Sequence, residues 1–228
     1  MPSTAGRFDA ASDRVSYTGA TPPPDTATGI SFTCWASLAV DLNDNSSLWR
    51  LWSSVFGTRV NMATATNGET PALFSAGNTG GVVAPLSLVV DTWRAVGCAI
   101  SGTTGTIRIA PADLSAALSA SGTVSGGATA AGFTLGGRDT GDSTEWFNGR
   151  IAYPRVWAGL LDGAEMLTEW ASLTPVRGSG LWGAWELPSL ADVSGNGRNL
   201  TAGTTPLTAE AGPPITSGSA TRFLPFFS

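Results

Sequence analysis

The chain contains no lysine and no histidine, and its 12 cations are all arginine. Charge of either sign is scarce: 12 basic and 17 acidic residues make 13% of 228, where a soluble domain carries about 25%. Each lack excludes something. Without histidine there is no Ser-His-Asp or Cys-His nucleophile system and no histidine-ligated zinc site. A net charge of -5, with a pI near 4.6, speaks against nucleic acid as a partner, because counterion replacement needs a basic face. No apolar run approaches the ~20 residues of a membrane helix, so membrane insertion is not expected. The start, Met-Pro-Ser-Thr-Ala-Gly-Arg-Phe, lacks the apolar stretch of a signal peptide. The expectation is synthesis in a cytosol and release by lysis or a dedicated machine. Cysteine is limited to Cys34 and Cys98, both in apolar strand-like runs. Two small buried hydrophobes is the plain reading, and a disulfide is the other.

What remains is glycine (29), proline (14) and tryptophan (9), with a 42% hydrophobic fraction. That fraction is the opposite of a disordered composition. The length suits one all-β domain with a full core. Ile30, Phe32, Cys34, Ala36 and Leu38 alternate with Ser31, Thr33, Trp35 and Ser37, which predicts a strand with one buried face. Residues 48–56, 86–90, 133–137, 150–157, 181–187 and 199–201 read as further strands or apolar segments, and 93–100 with 106–110 as a hairpin. Residues 119–132 read as a loop with room for a short strand. Pro154 places its strand at an edge or a bulge, since proline cannot donate to the ladder. One helix is expected over about 163–172: Asp162 and Glu165 form a capping box, with Met166, Leu167 and Trp170 at helical spacing. Asp192 to Gly197 reads as a tight turn in which Gly195 and Gly197 are free to take positive φ.

Short strands, glycine turns and one short helix predict an all-β antiparallel sandwich. Residues 1–202 would form the domain. Residues 203–228, with Pro206, Pro213, Pro214 and Pro225, would form an extended tail. Its apolar end, Phe223, Leu224, Phe226 and Phe227, is expected to dock on the same domain or on a partner.

Several segments together resemble the laminin-G-like, concanavalin A-like jelly rolls. Phe8 to Val15 resembles the opening F-D-G-x-x-D-Y-V of that family, and Ile30 to Leu38 its next strand, with Trp35 at the usual tryptophan. Thr92 to Gly97 resembles its T-W-H-H-V-A strand. Phe147 to Trp157 resembles F-N-G-x-I-D-E-V-R-I-Y, and Leu160 to Leu167 the helix that follows. Leu181 to Gly197 resembles the segment ending D-x-S-G-N-G. In relatives that segment often precedes the opening one, so its place here looks like a circular permutation, which a sandwich with adjacent termini permits. The resemblance implies a concanavalin A-like jelly-roll sandwich. It does not imply one activity, because lectins, glycosidases, adhesion modules and structural proteins share the fold. A module of this kind is similar to those in virion proteins of phages infecting actinobacteria, as minor tail or capsid-decorating components.

The candidate chemistries divide by class. A retaining glycosidase needs two carboxylates about 5 Å apart. Glucanases of this fold carry E-x-D-x-x-E on a strand, and none of the six glutamates begins that motif. Glu165 and Glu169 read as helix cap and solvated face. A Ca2+ site needs clustered oxygens. The loop Arg138 to Trp146 offers Asp139, Asp142 and Glu145, and the turn offers Asp192 and Asn196, although Asp and Asn also favour turns for their own backbone bonds. Sugar binding without metal would use Trp146 as a stacking platform beside Arg138 and Asp142, or Trp146 is simply a half-buried loop aromatic. Trp35, Trp93, Trp157 and Trp185 read as core, Trp170 as the helix anchor, and Trp49 and Trp52 fit either role. No catalytic residue is assigned. The expectation is a non-enzymatic virion structural or adhesion protein, homo-oligomeric, docked on other virion proteins and touching host surface glycans. A free-standing lectin-like module is the alternative, and a glycoside hydrolase is the reading the residues favour least.

Overall fold

The nine residues Ile30–Leu38 are buried on both faces. Ile30, Phe32, Cys34, Ala36 and Leu38 point into the core between two sheets, while Trp35 points the other way into a second apolar cluster. Alternation correctly identified the strand, but its second face is covered too. The computed structural model describes residues 3–9, 13–40, 47–52, 59–64, 69–75, 81–124, 131–137 and 146–215, with backbone alone for 47–52, 59–64 and 74–75.

In chain order the strands are β1 (Thr4–Phe8), β2 (Val15–Tyr17), β3 (Ile30–Leu38), β4 (Ser47–Trp52), β5 (Arg59–Thr64), β6 (Pro71–Ser75) and β7 (Gly81–Val83). They continue as β8 (Arg94–Ser101), β9 (Thr104–Pro111), β10 (Leu118–Thr123), β11 (Gly132–Leu135) and β12 (Gly149–Ala158). Helix α1 (Gly163–Trp170) precedes β13 (Leu181–Ala184), β14 (Thr201–Ala202) and β15 (Thr208–Ala211). One sheet has eight strands, ordered β10-β9-β8-β3-β12-β1-β15 with β13 beside β12. The other has seven, ordered β14-β2-β11-β4-β5-β6-β7. All pairings between these strands are antiparallel.

The core between the sheets is aromatic. Phe133 stacks on Trp185 at 5.6 Å between ring centroids, and Trp182 meets Trp185, Phe133 and Tyr17 edge-on. Cys34 and Cys98 lie in this core as free, buried thiols, and burial pushes both pKa values well up, so they behave as small hydrophobes. Residues 86–90 are not a strand; Val90 makes one isolated bridge to Leu38, and Leu88 is buried with its N–H on the Glu69 carbonyl. Residues 118–123 form a full edge strand, longer than the sequence suggested.

Pro154 sits at a bulge, in a central strand. Pairing of β12 with β3 slips between Ala152 and Arg155, and Tyr153 takes a positive φ of 49°. The slip changes which residues face which way. Ile151 and Val156 both enter the inter-sheet core, and Ala152 and Trp157 both enter the outer cluster. Five residues separate each pair, so an odd shift has occurred. Arg155 is thereby delivered to the outer face, under α1.

Helix α1 ends at Trp170, two residues short of the expected boundary. Its capping box is present: the Glu165 N–H donates to Asp162 Oδ1 (2.8 Å) and the Asp162 N–H to Glu165 Oε2 (2.9 Å). Met166 and Trp170 seat on Gly97, where an added Cβ would lie 3.0 Å from the Trp170 ring. Trp35 donates its indole N–H to the Trp170 carbonyl at 3.1 Å. Glu169 is not on a solvated face. Its side chain is 1% exposed and bonds Arg155 Nη1 at 2.8 Å. It also accepts the N–H groups of Val176 (3.1 Å) and Arg177 (2.6 Å). Arg155 in turn donates to the carbonyls of Glu169 and Ser172.

Residues 208–211, assigned to the tail by sequence, form β15 and pair with β1. The Gly212 N–H donates to the Ser3 carbonyl at 3.0 Å, so the two ends of the described chain lie together. The apolar end at Phe223, Leu224, Phe226 and Phe227 lies outside the described residues.

Arg155→Met leaves the Glu169 carboxylate buried without its cation, and the expected loss is about 3–5 kcal/mol. Chemical denaturation should show it as a lowered midpoint. An Arg155→Met/Glu169→Leu pair should lose less than the sum of the single changes; strict additivity would mean the two groups do not act together.

Candidate functional site

The outer face of the eight-stranded sheet is divided. Helix α1 and the residues after it cover the part near the end of β12, built on Trp35, Ala152, Tyr153 and Trp157. The start of β12 lies at the opposite end of the sheet, where Gly149 pairs with Leu38. There the outward residues include Arg7, Ser37 and Arg150, beside the half-buried Trp93.

Arg150 is the centre of this open part. It faces outward, as Ala152 does, beside Ser37 on β3 and Arg7 on β1. Its Nη2 donates to Ser37 Oγ (2.9 Å) and to Asp91 Oδ1 (2.9 Å). Its Nη1 lies 3.8 Å from Glu210 Oε2 on β15. Its guanidinium carbon stands 5.4 Å from the centre of the Trp93 ring, within cation–π range. Arg7 adds a second guanidinium, 3.9 Å from Asp9 and 3.4 Å from Asn148 Oδ1.

Asp91 is held in the left-handed region, at φ 54°, and its N–H donates to the Leu38 carbonyl at 2.9 Å. Aspartate tolerates this conformation better than most residues. The result is a carboxylate 77% exposed yet fixed against Arg150, whose side chain is only 16% exposed. At the neighbouring corner the hydrogen bond that the neutral Asp9 carboxyl donates to the Asp13 side chain, ahead of burial, raises Asp9 above its ordinary range. Asp13 Oδ2 also takes the Asp9 N–H at 2.8 Å.

The sequence candidates fall as follows. Trp146 is half-buried just before β12. Arg138, Asp139, Asp142 and Glu145 lie outside the described residues, so the glycan and Ca2+ assignments in that loop do too. Trp146 belongs to the same end of the sandwich as Arg150, because Asn148 ties it to Arg7 and, through its carbonyl, to the Ala39 N–H (3.1 Å). Among the described residues no group of three or more cysteine, aspartate or glutamate side chains could hold a metal ion. At the second Ca2+ candidate, Asp192 Oδ1 accepts the N–H groups of Ala184 and Ser194, and Oδ2 that of Arg198. Asn196 points its amide at the carbonyls of Leu181 and Trp182. Both side chains serve the turn. Burial opposes ionisation of Asp192, but the bonds from Ser194, Arg198 and Ala184 outweigh it and hold its pKa below the usual value. Trp93, expected in the core, is half-buried: parity with Val96, Cys98 and Ile100, which face inward, turns it outward, where it packs at the margin of the outer apolar cluster.

No family model matches the chain, and no curated protein does. Solved structures do. A candidate carbohydrate-binding protein from Bacteroides ovatus matches with a TM-score of 0.66 and 13% identity, over 92% of this chain and 60% of its own. The enzymatically active domain of tailspike protein 2 from bacteriophage CBA120 matches with a TM-score of 0.60 and 13% identity, over 79% of this chain and 29% of its own. The LG1-3 region of the laminin alpha2 chain matches with a TM-score of 0.52 and 13% identity, over 84% of this chain and 36% of its own. The chain thus spans less than two thirds of each of these proteins. At such identity the likeness establishes the fold, an antiparallel jelly-roll sandwich of the lectin-like kind with a single helix among its described residues.

Two outcomes separate site from scaffold. Arg150→Ala removes a largely buried side chain bonded to Ser37 and Asp91 and should cost about 1–3 kcal/mol, while Trp185→Ala should cost about 3–5 kcal/mol. Asp192→Asn should cost about 1–3 kcal/mol at neutral pH. Because the folded Asp192 pKa is lowered, its contribution is whole above the unfolded value near 3.9 and fades as pH falls towards the folded one. The gap between wild type and Asp192→Asn should therefore close in acid, which thermal unfolding across pH would measure.

Proposed function

We propose that the chain is a non-enzymatic carbohydrate-binding adhesion module carried on a phage virion, as a minor tail or capsid-decorating component. The observation that supports binding is the open patch around Trp93 and Arg150. Sugar rings present an apolar C–H face and an edge of hydroxyls. An aromatic side chain beside fixed carboxylates and guanidinium groups offers both kinds of contact on a rigid sheet. Three further carboxylates among the described residues are engaged by their own neighbours. Glu169 is buried against Arg155, Asp192 holds a turn, and Asp9 shares a hydrogen bond with Asp13. That supports a module without hydrolytic activity.

The virion half is supported by the fold shared with a phage tailspike domain and by the arginine-only, weakly charged composition. On this reading the chain is homo-oligomeric, and Phe223, Leu224, Phe226 and Phe227 dock it on other virion proteins. The likeness to the Bacteroides protein, over 92% of this chain, favours a second reading, a free-standing lectin-like module with the same patch.

Glycan-array binding with Ca2+ and with a chelator tests the activity. Trp93→Ala should weaken binding about tenfold, the ~1.4 kcal/mol of one good aromatic contact. Binding that vanishes with chelator would move the site to the Asp139–Asp142 loop, and no binding at all would end the carbohydrate reading. Immunoelectron microscopy of particles from the source should label tail or capsid; unlabelled particles would leave the free-standing module.

A further inference from the structure

We propose that β10 is a self-association surface, on which the β10 of a second copy of this chain pairs antiparallel across a two-fold axis. The inference gives a surface to the homo-oligomer proposed above and rests on that reading, but on neither its glycan nor its virion part. An edge strand carries backbone N–H and C=O groups that face no partner, and proteins blunt such edges by keeping them short or by placing proline or charge on them. The other terminal strands of the two sheets are blunted. β7 has three residues and β14 two. β15 carries Glu210 and lies between Pro206 and the pair Pro213 and Pro214. β10 ends the eight-stranded sheet opposite β15, runs for six residues, Leu-Ser-Ala-Ser-Gly-Thr, and holds neither charge nor proline. Its whole length pairs with β9 on one side, and among the described residues no strand lies on the other.

The strand is also complementary to itself. Ala120 packs towards the core and Gly122 lies on Val82, so Leu118, of the same parity, points to the same side, and Ser119, Ser121 and Thr123 point to the other. A two-fold axis perpendicular to the sheet keeps each side with its like, so only residues of equal parity can stand opposite each other. Centred on Ala120, such an axis sets Ala120 against Ala120, Leu118 against Gly122 and Ser119 against Ser121. The leucine, 43% exposed in the single chain, then lies opposite the residue without a side chain, and the serines form hydroxyl pairs. No like charges meet. β10 also lies against β7, so the ends of both sheets stand on the side that a second copy approaches. A strand that fits its own two-fold copy forms a closed pair rather than an open filament.

Sedimentation velocity on the full chain, over about a hundredfold range of concentration, is the test. The wild type should pass reversibly from monomer to dimer. Ser119→Lys/Ser121→Lys sets lysines directly opposite each other in the dimer and changes only exposed positions of the single chain. It should weaken self-association at least tenfold and keep the unfolding midpoint. Ser119→Glu/Ser121→Glu should do the same, and an equimolar mixture of the two variants should dimerise again, less so at high salt. A wild type that stays monomeric throughout would overturn the inference and the homo-oligomer together. Self-association unchanged in both variants, or a mixture that stays monomeric, would overturn this surface and leave the homo-oligomer standing.

Discussion

Arg155 meeting Glu169 is the contact on which the rest of the molecule's layering turns. Strand β12 pairs with β3 on one side and with β1 and β13 on the other, so its facing decides the facing of the whole eight-stranded sheet. Counting by twos from Ile151, Arg155 would enter the aromatic core between the sheets, where no partner could satisfy it. The bulge at Tyr153 and Pro154 inverts that parity and turns the guanidinium outward, to the end of α1. A buried ion pair of this kind adds little over well-packed hydrophobes. What it does fix is geometry. The strand, the last turn of the helix and residues 172–177 are tied through one carboxylate and one guanidinium, which anchors the end of α1 to β12.

That placement is also what leaves the other part of the face open. An eight-residue helix is about 12 Å long, too short to cover a sheet whose central strands run nine and ten residues. Half of the face becomes a second core of tryptophan, methionine and alanine. The remaining outward positions must meet water, and the chain spends its scarce charge there: Arg7, Asp9, Asp91, Arg150 and Glu210 converge from β1, β12, β15 and the segment before β8.

Much of this was legible in the sequence where a local rule sufficed. The alternation of Ile30 to Leu38, the capping box at Asp162 and Glu165, the bulge at Pro154 and the glycines at 195 and 197 each follow from short-range chemistry, and each is found. The misses involve contacts between distant segments. Glu169 looks solvated until the bulge in β12 sends Arg155, fourteen residues earlier in the chain, to it. Thr208–Ala211 has no strand signature, yet β1 offers a free edge and accepts it. Trp93 looks like its fellow tryptophans, yet it is half-buried at the margin of the outer cluster rather than inside it. The spacing of Asp9 and Asp13, part of the resemblance to the jelly-roll opening, has a local cause as well: the Asp13 carboxylate takes the Asp9 N–H and holds the exit of β1.

The scarcity of charge then acquires a mechanical meaning. In a highly charged surface, one arginine among many would be solvated and mobile, and a ligand would have to order it at an entropic cost. Here Arg150 is pinned by Ser37, Asp91, Glu210 and the Trp93 ring, and Asp91 is pinned by Arg150 and by its own backbone. These contacts order the groups within the sheet face itself.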